Sequence, residues 1–152
     1  MGILYQQFGA LPWRDRGQGV EILLITSRET RRWVIPKGWA ERRVSPREQA
    51  AREAFEEAGI EGAIGAKPLG SYRYLKQRRG GAPIPVKVEV FLLQVTVQHA
   101  DWPEKDQRQA SWVTPDEAAA LVDEEGLAAI LRGLFAERPP QARTEAGLRP
   151  TA

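Results

Sequence analysis

The 152-residue sequence contains no cysteine, one histidine and one methionine. The absence of cysteine excludes disulfide bonds, a thiol nucleophile and thiolate metal ligands. The single imidazole, that of His99, cannot build a histidine metal site, and we interpret it as a surface residue at the end of a strand. Function classes that depend on thiols or on clustered imidazoles are therefore excluded.

Long hydrophobic runs are also missing. Apolar stretches such as Ile22 to Ile25 and Val90 to Leu93 are four residues long, whereas a membrane-spanning helix needs about 20 residues. The start of the chain has no basic segment followed by a long apolar run, so no signal peptide is predicted. We expect a cytoplasmic protein that makes no contact with a membrane.

The remaining composition is that of an ordinary globular protein, with 42% hydrophobic and 28% charged residues. A chain of this length suits one domain with a well-formed core. We place that domain at residues 1–138. Residues 139–152 begin with two consecutive prolines and contain few large apolar side chains, so they are predicted to form a disordered tail.

The net charge is only +2, but residues 1–47 hold nine basic side chains against four acidic ones. Guanidinium groups bind phosphate oxygens through paired hydrogen bonds, so this cluster indicates a rim that receives a polyanionic substrate. Over the whole chain, the excess of 17 arginines over five lysines is explained as well by a genome rich in G and C. Aromatic residues do not interleave with the charges, so no nucleic-acid surface is expected. The candidate substrate-binding residues are Arg14, Arg28, Arg32 and Lys37.

Hydrophobic periodicity and turn residues predict alternating strands and helices. The predicted strands are Ile3 to Phe8, Val20 to Thr26, Trp33 to Ile35, Ser71 to Gln77, Val86 to Val97 and Gln109 to Val113. Gly9 to Pro12 is expected to break or bulge the first strand, Glu61 to Gly70 to form an irregular connection, and Arg78 to Pro85 to form a hairpin tip. Two helices are predicted near the C-terminus, from Pro115 to about Val122 and from Gly126 to Glu137. Asp101 to Arg108 is interpreted as a polar loop that contacts substrate, although its Trp102 could equally anchor it to the core.

One further helix has clear end signals. Ser45 is a good N-cap, Pro46 suits the first helical position, and Glu48 completes a capping box with the serine. Gly59 stands where a left-handed C-cap belongs. At 100° per residue, three glutamates share one narrow arc near the C-terminal end, while small alanines form a separate apolar face. The glutamates are Glu53, Glu56 and Glu57.

This acidic arc is locally unfavourable. Like-charge pairs at these spacings cost roughly 0.2–0.5 kcal/mol each, and the helix dipole disfavours anions in the last turn. Clustered carboxylates suit Mg²⁺ or Mn²⁺, which bind a few carboxylates, retain waters and take the remaining ligands from substrate phosphates. The alternative is an ordinary solvated acidic face.

The stretch resembles the conserved box of the Nudix hydrolases, which reads G-x5-E-x7-R-E-U-x-E-E-x-G-U, where U is an apolar residue. The matching residues are Gly38, Arg52, Glu53, Ala54, Glu56, Glu57, Gly59 and Ile60. Val44 stands where the family has its first glutamate, and nearby Glu41 is a candidate replacement. In the family that residue mainly supports the loop and its arginine, whereas the later glutamates hold metal.

The resemblance implies a fold of the α/β class, a Nudix-type α/β/α sandwich with a mixed β-sheet between helical layers. It also implies Mg²⁺- or Mn²⁺-dependent hydrolysis of a pyrophosphate bond. The substrate would be a nucleoside diphosphate linked to another moiety, a dinucleoside polyphosphate or a diphosphoinositol polyphosphate. The alternative is a non-catalytic Nudix-fold module that binds a nucleotide as a sensor. Both monomer and homodimer remain open.

The resemblance further assigns roles within the site. The expected metal ligands are the backbone carbonyl of Gly38 and the carboxylates of Glu53, Glu56 and Glu57. Arg52 is expected to orient Glu56 through an i to i+4 ion pair, and Glu57 is expected to take the proton of the attacking water. Glu89, a charged residue within an apolar strand, is a second candidate for proton acceptor and a further metal ligand, or else pairs with a basic residue on a solvated face.

Overall fold

The computed structural model describes residues 3–136, which form eight strands, three α-helices and a short 3₁₀ turn at Lys105–Gln107. The strands are β1 (Tyr5–Asp15), β2 (Val20–Thr26), β3 (Trp33–Val34), β4 (Lys37–Trp39), β5 (Ile60–Ile64), β6 (Gly70–Arg78), β7 (Gly81–Gln98) and β8 (Ala110–Val113). The helices are α1 (Pro46–Ala58), α2 (Pro115–Leu121) and α3 (Glu125–Ala136). The tail predicted at 139–152, and the predicted end of the last helix at Glu137, lie outside the described residues.

The strands form one mixed sheet whose main path runs β3-β2-β1-β7-β5. Three further strands pair with this path: β4 with β1, β6 with β7 and β8 with β2. β1 and β7 are parallel, from Tyr5 opposite Val86 to Trp13 opposite Gln94, and the other pairings are antiparallel. The predicted mixed sheet is confirmed.

Helices cover both faces of the sheet, as predicted. On one face α1 buries Ala50, Ala54 and Ala58 against sheet residues that include Phe8 and Phe91. These small side chains let the helix lie close to the strands. On the other face α2 and α3 pack on a larger core containing side chains of β1, β2 and β7. The two hydrophobic layers produce the expected α/β/α sandwich. No helix within residues 3–136 has the length and apolarity to span a membrane.

The predicted helix caps are confirmed at both sites. The Ser45 hydroxyl accepts a hydrogen bond from the Glu48 amide at 3.3 Å, and the Glu48 carboxylate accepts one from the Ser45 amide at 3.3 Å. Thr114 and Glu117 form the same reciprocal pair at the start of α2. Gly59 ends α1 with φ of 70°, which a glycine adopts without steric cost.

β1 differs from its prediction, because it continues through Gly9 to Pro12 without a break. This segment lies in the middle of the sheet, where Ala10 and Leu11 are fully buried. Pairing with β7 along this segment satisfies its backbone, and the Ala10 amide also donates to the carbonyl of Pro36 at 3.0 Å. These tertiary contacts override the local turn propensity.

The predicted irregular connection after α1 contains a strand, β5, that pairs with β7 through a register shift between Glu61 and Gly62. The bulge was predicted but the strand was not. A Cβ atom at Gly62 would lie 1.8 Å from the carbonyl oxygen of Gln94, so only glycine permits this approach. The hairpin tip is also shorter than predicted, because β6 reaches Arg78 and β7 begins at Gly81.

Candidate active site

A cavity of about 530 Å³ opens beside the C-terminal half of α1. It is bounded by strand β4, the loop after β2, the β6–β7 hairpin and the loop before β8. Seven basic residues line it, namely Arg28, Arg32, Lys37, Lys76, Arg78, Arg79 and Arg108. Five acidic residues also line it, namely Glu29, Glu41, Glu53, Glu57 and Glu104. The wall therefore combines a carboxylate cluster with an excess of positive charge.

The carboxylates of Glu53 and Glu57 lie side by side, because residues four apart on a helix share one face. Gln49 donates from Nε2 to Glu53 Oε2 at 2.6 Å, and the Lys37 backbone amide donates to Glu57 Oε1 at 3.2 Å. Burial raises the pKa of both carboxyl groups, that of Glu57 to about 8, although the neighbouring charges of Arg108 and Lys37 oppose the shift of Glu57. In the metal-free protein the pair holds a proton near neutral pH.

Gly38 gives the Glu53 carboxylate its space. A Cβ atom at position 38 would lie 2.2 Å from the carboxyl carbon of Glu53, closer than real Cβ contacts come. β4 holds the Gly38 backbone in place by pairing with β1 opposite Phe8. The glycine of the predicted motif therefore brings a backbone segment into direct contact with a partly buried carboxylate.

This donor set fits a divalent cation. Mg²⁺ in proteins binds one or two carboxylates, keeps several waters and takes further oxygens from substrate phosphates. Glu53 and Glu57 present carboxylate oxygens at one wall of the cavity, and the Gly38 backbone lies against Glu53. Within residues 3–136, no group of three or more histidine, cysteine or acidic side chains is placed to hold a metal by itself. A cation here would therefore need water and substrate to complete its shell.

Glu56 does not line the cavity. Its side chain is partly exposed, and its backbone carbonyl accepts a hydrogen bond from the Glu104 amide at 3.0 Å. Its charge still raises the pKa of neighbouring Glu53, although by less than burial does. Its role as a metal ligand stays a prediction.

Arg108 and Glu104 line the cavity but were not among the predicted site residues. Arg108 Nε donates to Glu104 Oε1 at 2.8 Å, and its Nη1 donates to the Thr26 carbonyl at 3.1 Å. Its Nη2 lies 3.6 Å from Glu57 Oε2, with the arginine side chain only 10% exposed. A buried cation thus faces the carboxylate pair. The only sequence signal was the predicted substrate-contacting loop that ends at Arg108.

Lys37 and Arg32 lie in the cavity wall, and their role in substrate binding stays a prediction. Burial lowers the pKa of the Lys37 amine to about 8, although Glu57 and Glu124 oppose the shift. Arg32 donates from Nη1 to Glu124 Oε2 at 2.7 Å, which ties it to the turn between α2 and α3. Arg28 is also in the wall and donates to the Gln107 side chain at 3.2 Å.

Arg14 and Glu89 do not line this cavity. Arg14 donates to Glu21 at 2.8 Å and places its guanidinium carbon 3.9 Å from the ring centre of Trp112, so its charge is engaged elsewhere. Glu89 lies in mid-β7 opposite Phe8 and is partly exposed. Arg14 is thus held outside the cavity wall by its own partners, contrary to the substrate-binding prediction, whereas the metal-ligand and proton-acceptor roles of Glu89 stay predictions.

Arg52 differs from its prediction as well. Its Nη1 lies 3.4 Å from Glu41 Oε1, and the predicted ion pair with Glu56 is not formed. Glu41 therefore contacts the arginine that the first glutamate of the motif is expected to support. Trp102 in turn acts as an anchor, since its ring lies 2.4 Å from where a Cβ atom at Gly59 would stand.

The NUDIX domain family model matches residues 5–134. The chain belongs to the Nudix hydrolase family. It is 35% identical over 109 residues to Nudix hydrolase 12, mitochondrial, of Arabidopsis thaliana, an alignment that covers 67% of this chain and 52% of the relative. It is 33% identical over 114 residues to diphosphoinositol polyphosphate phosphohydrolase 3-beta of Bos taurus, covering 74% of this chain and 65% of the relative. The chain thus spans about half to two thirds of the length of these Nudix relatives.

Solved structures share the Nudix fold. The C. elegans Ap4A hydrolase matches with a TM-score of 0.62 at 21% identity, covering 88% of this chain and 98% of that chain. The MutT protein from Methanosarcina mazei Go1 matches with a TM-score of 0.66 at 20% identity, covering 90% and 96%. At these identities the likeness confirms the α/β/α fold alone. Since several Nudix relatives carry mitochondrial or chloroplastic names, a cytoplasmic location stays a prediction.

Proposed function

We propose that this chain hydrolyses a pyrophosphate bond of a polyphosphate substrate with the help of Mg²⁺ or Mn²⁺. The substrate is a nucleoside diphosphate linked to another moiety, a dinucleoside polyphosphate or a diphosphoinositol polyphosphate. The observation that carries the proposal is the Glu53–Glu57 carboxylate pair, which faces a cavity lined by seven basic residues. The basic side chains suit a polyanion, and the partly desolvated carboxylate pair suits a bound positive ion.

Glu53, Glu57 and the Gly38 carbonyl would hold the cation, with Glu56 as a further ligand. A bound divalent ion would neutralise phosphate oxygens and lower the pKa of a water molecule. The protein fixes the carboxylates beforehand, because Gln49 and the Lys37 amide each donate a hydrogen bond to one of them. Such prior orientation reduces the reorganisation needed during reaction.

The basic wall would bind the phosphate chain and stabilise the charge that develops on it. Arg28 and Arg79, which line the cavity, would take this role, while Lys37 would supply a cation beside Glu57. Glu57 is proposed to accept the proton of the attacking water. Glu104, which lines the cavity and is held by Arg108 at 2.8 Å, replaces Glu89 as the second candidate.

The decisive experiment is a substrate panel assayed with Mg²⁺ and with Mn²⁺, reading release of phosphate or pyrophosphate. The panel contains dinucleoside polyphosphates, nucleoside diphosphate sugars, diphosphoinositols and nucleoside triphosphates. We expect hydrolysis of at least one class that stops when the metal is chelated. Silence across the panel would instead support the non-catalytic nucleotide-binding alternative.

Glu57→Gln tests the site assignment on whichever substrate is hydrolysed. It removes the charge and the proton acceptor while keeping the side-chain shape, so we expect turnover to fall by about 10²- to 10⁴-fold. Glu125→Gln makes the same change at an exposed position in the first turn of α3 and serves as the control. Unchanged turnover in Glu57→Gln, with the fold intact by circular dichroism, would contradict the assignment.

A further inference from the structure

An aromatic side chain stands in the cavity wall, next to the predicted metal site. Trp39 directly follows Gly38 in β4, lines the cavity and leaves 40% of its surface exposed. Tyr5 on neighbouring β1 meets the indole edge to face, with ring centres 6.2 Å apart and planes at 70°. Because Tyr5 supports one side of the indole, the ring is held in place while it remains accessible.

The position of Trp39 relates it to the phosphate-binding wall. β4 pairs with β1 from Gly9 opposite Lys37 to Gln7 opposite Trp39, so one rigid strand holds a cavity cation, the motif glycine and the indole in succession. A substrate whose phosphates lie between the carboxylate pair and the basic wall would carry its organic group towards the rim. An exposed indole at that rim offers a flat apolar surface for a planar ring.

We propose that Trp39, supported by Tyr5, stacks on the nucleobase of the substrate and so favours nucleoside polyphosphates over polyphosphates that lack a base. The inference rests on the proposed function, because it assigns the substrate class of the same site. A base presents a π face to an indole, whereas an inositol ring or an inorganic polyphosphate presents none. Loss of one base-stacking side chain weakens binding by about 5- to 100-fold.

Equilibrium titration with Mg²⁺ present tests this without relying on catalysis. The base-containing probe is a methylene-bridged ATP that resists hydrolysis, and the base-free probe is inorganic tripolyphosphate. For Trp39→Ala we expect affinity for the ATP analogue to fall about 5- to 100-fold, while affinity for tripolyphosphate stays close to that of the unmodified protein. Trp39→Phe, which keeps an aromatic face, is expected to recover most of the loss.

Leu75→Ala is the matched control, since Leu75 is an exposed apolar residue that does not line the cavity. It should leave both affinities unchanged. An equal loss for the two probes in Trp39→Ala would overturn the inference, because it would mean that Trp39 only supports the structure of β4. No loss for the ATP analogue would overturn it too, including the case in which the exposed aromatic pair serves self-association. A silent hydrolysis panel would count against the proposed function, whereas the titration decides the inference separately.

Discussion

At the scale of single residues, the Glu53 carboxylate occupies the space that a side chain at position 38 would need. The geometry leaves little freedom to move, because Gln49 holds that carboxylate at 2.6 Å and is itself fully buried. A glycine at this position thus has a steric role within the site, in addition to the role of its backbone carbonyl as a proposed ligand.

Gly38→Ala should lower kcat strongly and lower the thermal midpoint only slightly. The added methyl group would stand 2.2 Å from the Glu53 carboxyl carbon and push the carboxylate out of place, and misplacement by about 1 Å can cost about 10²-fold in rate. The measurement is kcat on a substrate from the panel, alongside the thermal midpoint. Gly133→Ala is the control, since its methyl group would meet nothing within 4 Å. Equal kcat values for the two variants would show that Glu53 needs no fixed position.

Whether a site residue could be predicted from sequence depends on whether local or long-range structure brings it to the site. Glu53 and Glu57 lie on one helix face, so their proximity follows from local geometry alone. Arg108 reaches Glu57 only because a loop distant in sequence folds back beside β2. The prediction for Arg14 relied on its nearness to the motif in sequence. A cross-strand ion pair with Glu21 instead keeps the Arg14 side chain out of the cavity wall.

At the scale of secondary-structure elements, capping determines where α1 begins. Its N-cap lies at the end of the helix opposite Glu57, so the cap and the carboxylate pair can be changed separately. The reciprocal bonds of Ser45 and Glu48 satisfy backbone amides that the helix leaves free.

Ser45→Ala should lower the free energy of unfolding by about 1 kcal/mol and leave kcat unchanged. Thr114→Ala removes the equivalent cap of α2 and should have an effect of similar size. Urea unfolding measures both. Ser71→Ala, at an exposed position of β6, is the control and should fall within about 0.5 kcal/mol of the unmodified protein. If Ser45→Ala lowers the free energy of unfolding no more than that control does, the cap contributes no measurable stability.

Elements with strong local signals were predicted well, and those set by tertiary pairing were not. β2 has its predicted bounds, and both capped helices begin where their sequences indicate. β1 and β5 were mispredicted because glycine and proline are read locally as turn residues. Pairing with β7 determines the structure of both segments instead.

At the scale of the whole molecule, two buried ionisable groups of opposite type link stability to pH. The pKa of Glu57 is raised to about 8 from its ordinary 4.5. The folded protein therefore binds more protons than the unfolded chain between these values, and stability falls as pH rises through that range. The pKa of Lys37 is lowered to about 8 from 10.5, so between these values stability rises with pH.

The metal-free protein should consequently have a minimum in its free energy of unfolding near pH 8. Urea unfolding in the presence of a chelator, from about pH 5 to pH 10, measures it. Glu57→Gln should flatten the falling limb and Lys37→Met the rising limb, whereas Glu125→Gln should alter neither. Mg²⁺ should stabilise the protein most where the proposed carboxylate ligands are ionised. An unchanged curve in Glu57→Gln would refute the link between this pair and stability.

The parallel pairing of β1 with β7 also bears on how the protein folds. This pairing brings Tyr5 opposite Val86 and Trp13 opposite Gln94, residues separated in sequence by more than half of the described chain. Closing so long a loop costs entropy before its contacts form, and such long-range parallel pairing is slow. β4, which holds Gly38, is anchored on β1. We therefore expect the candidate site to be completed late in folding, after the carboxylate-bearing helix, because the caps and hydrogen bonds of that helix are local.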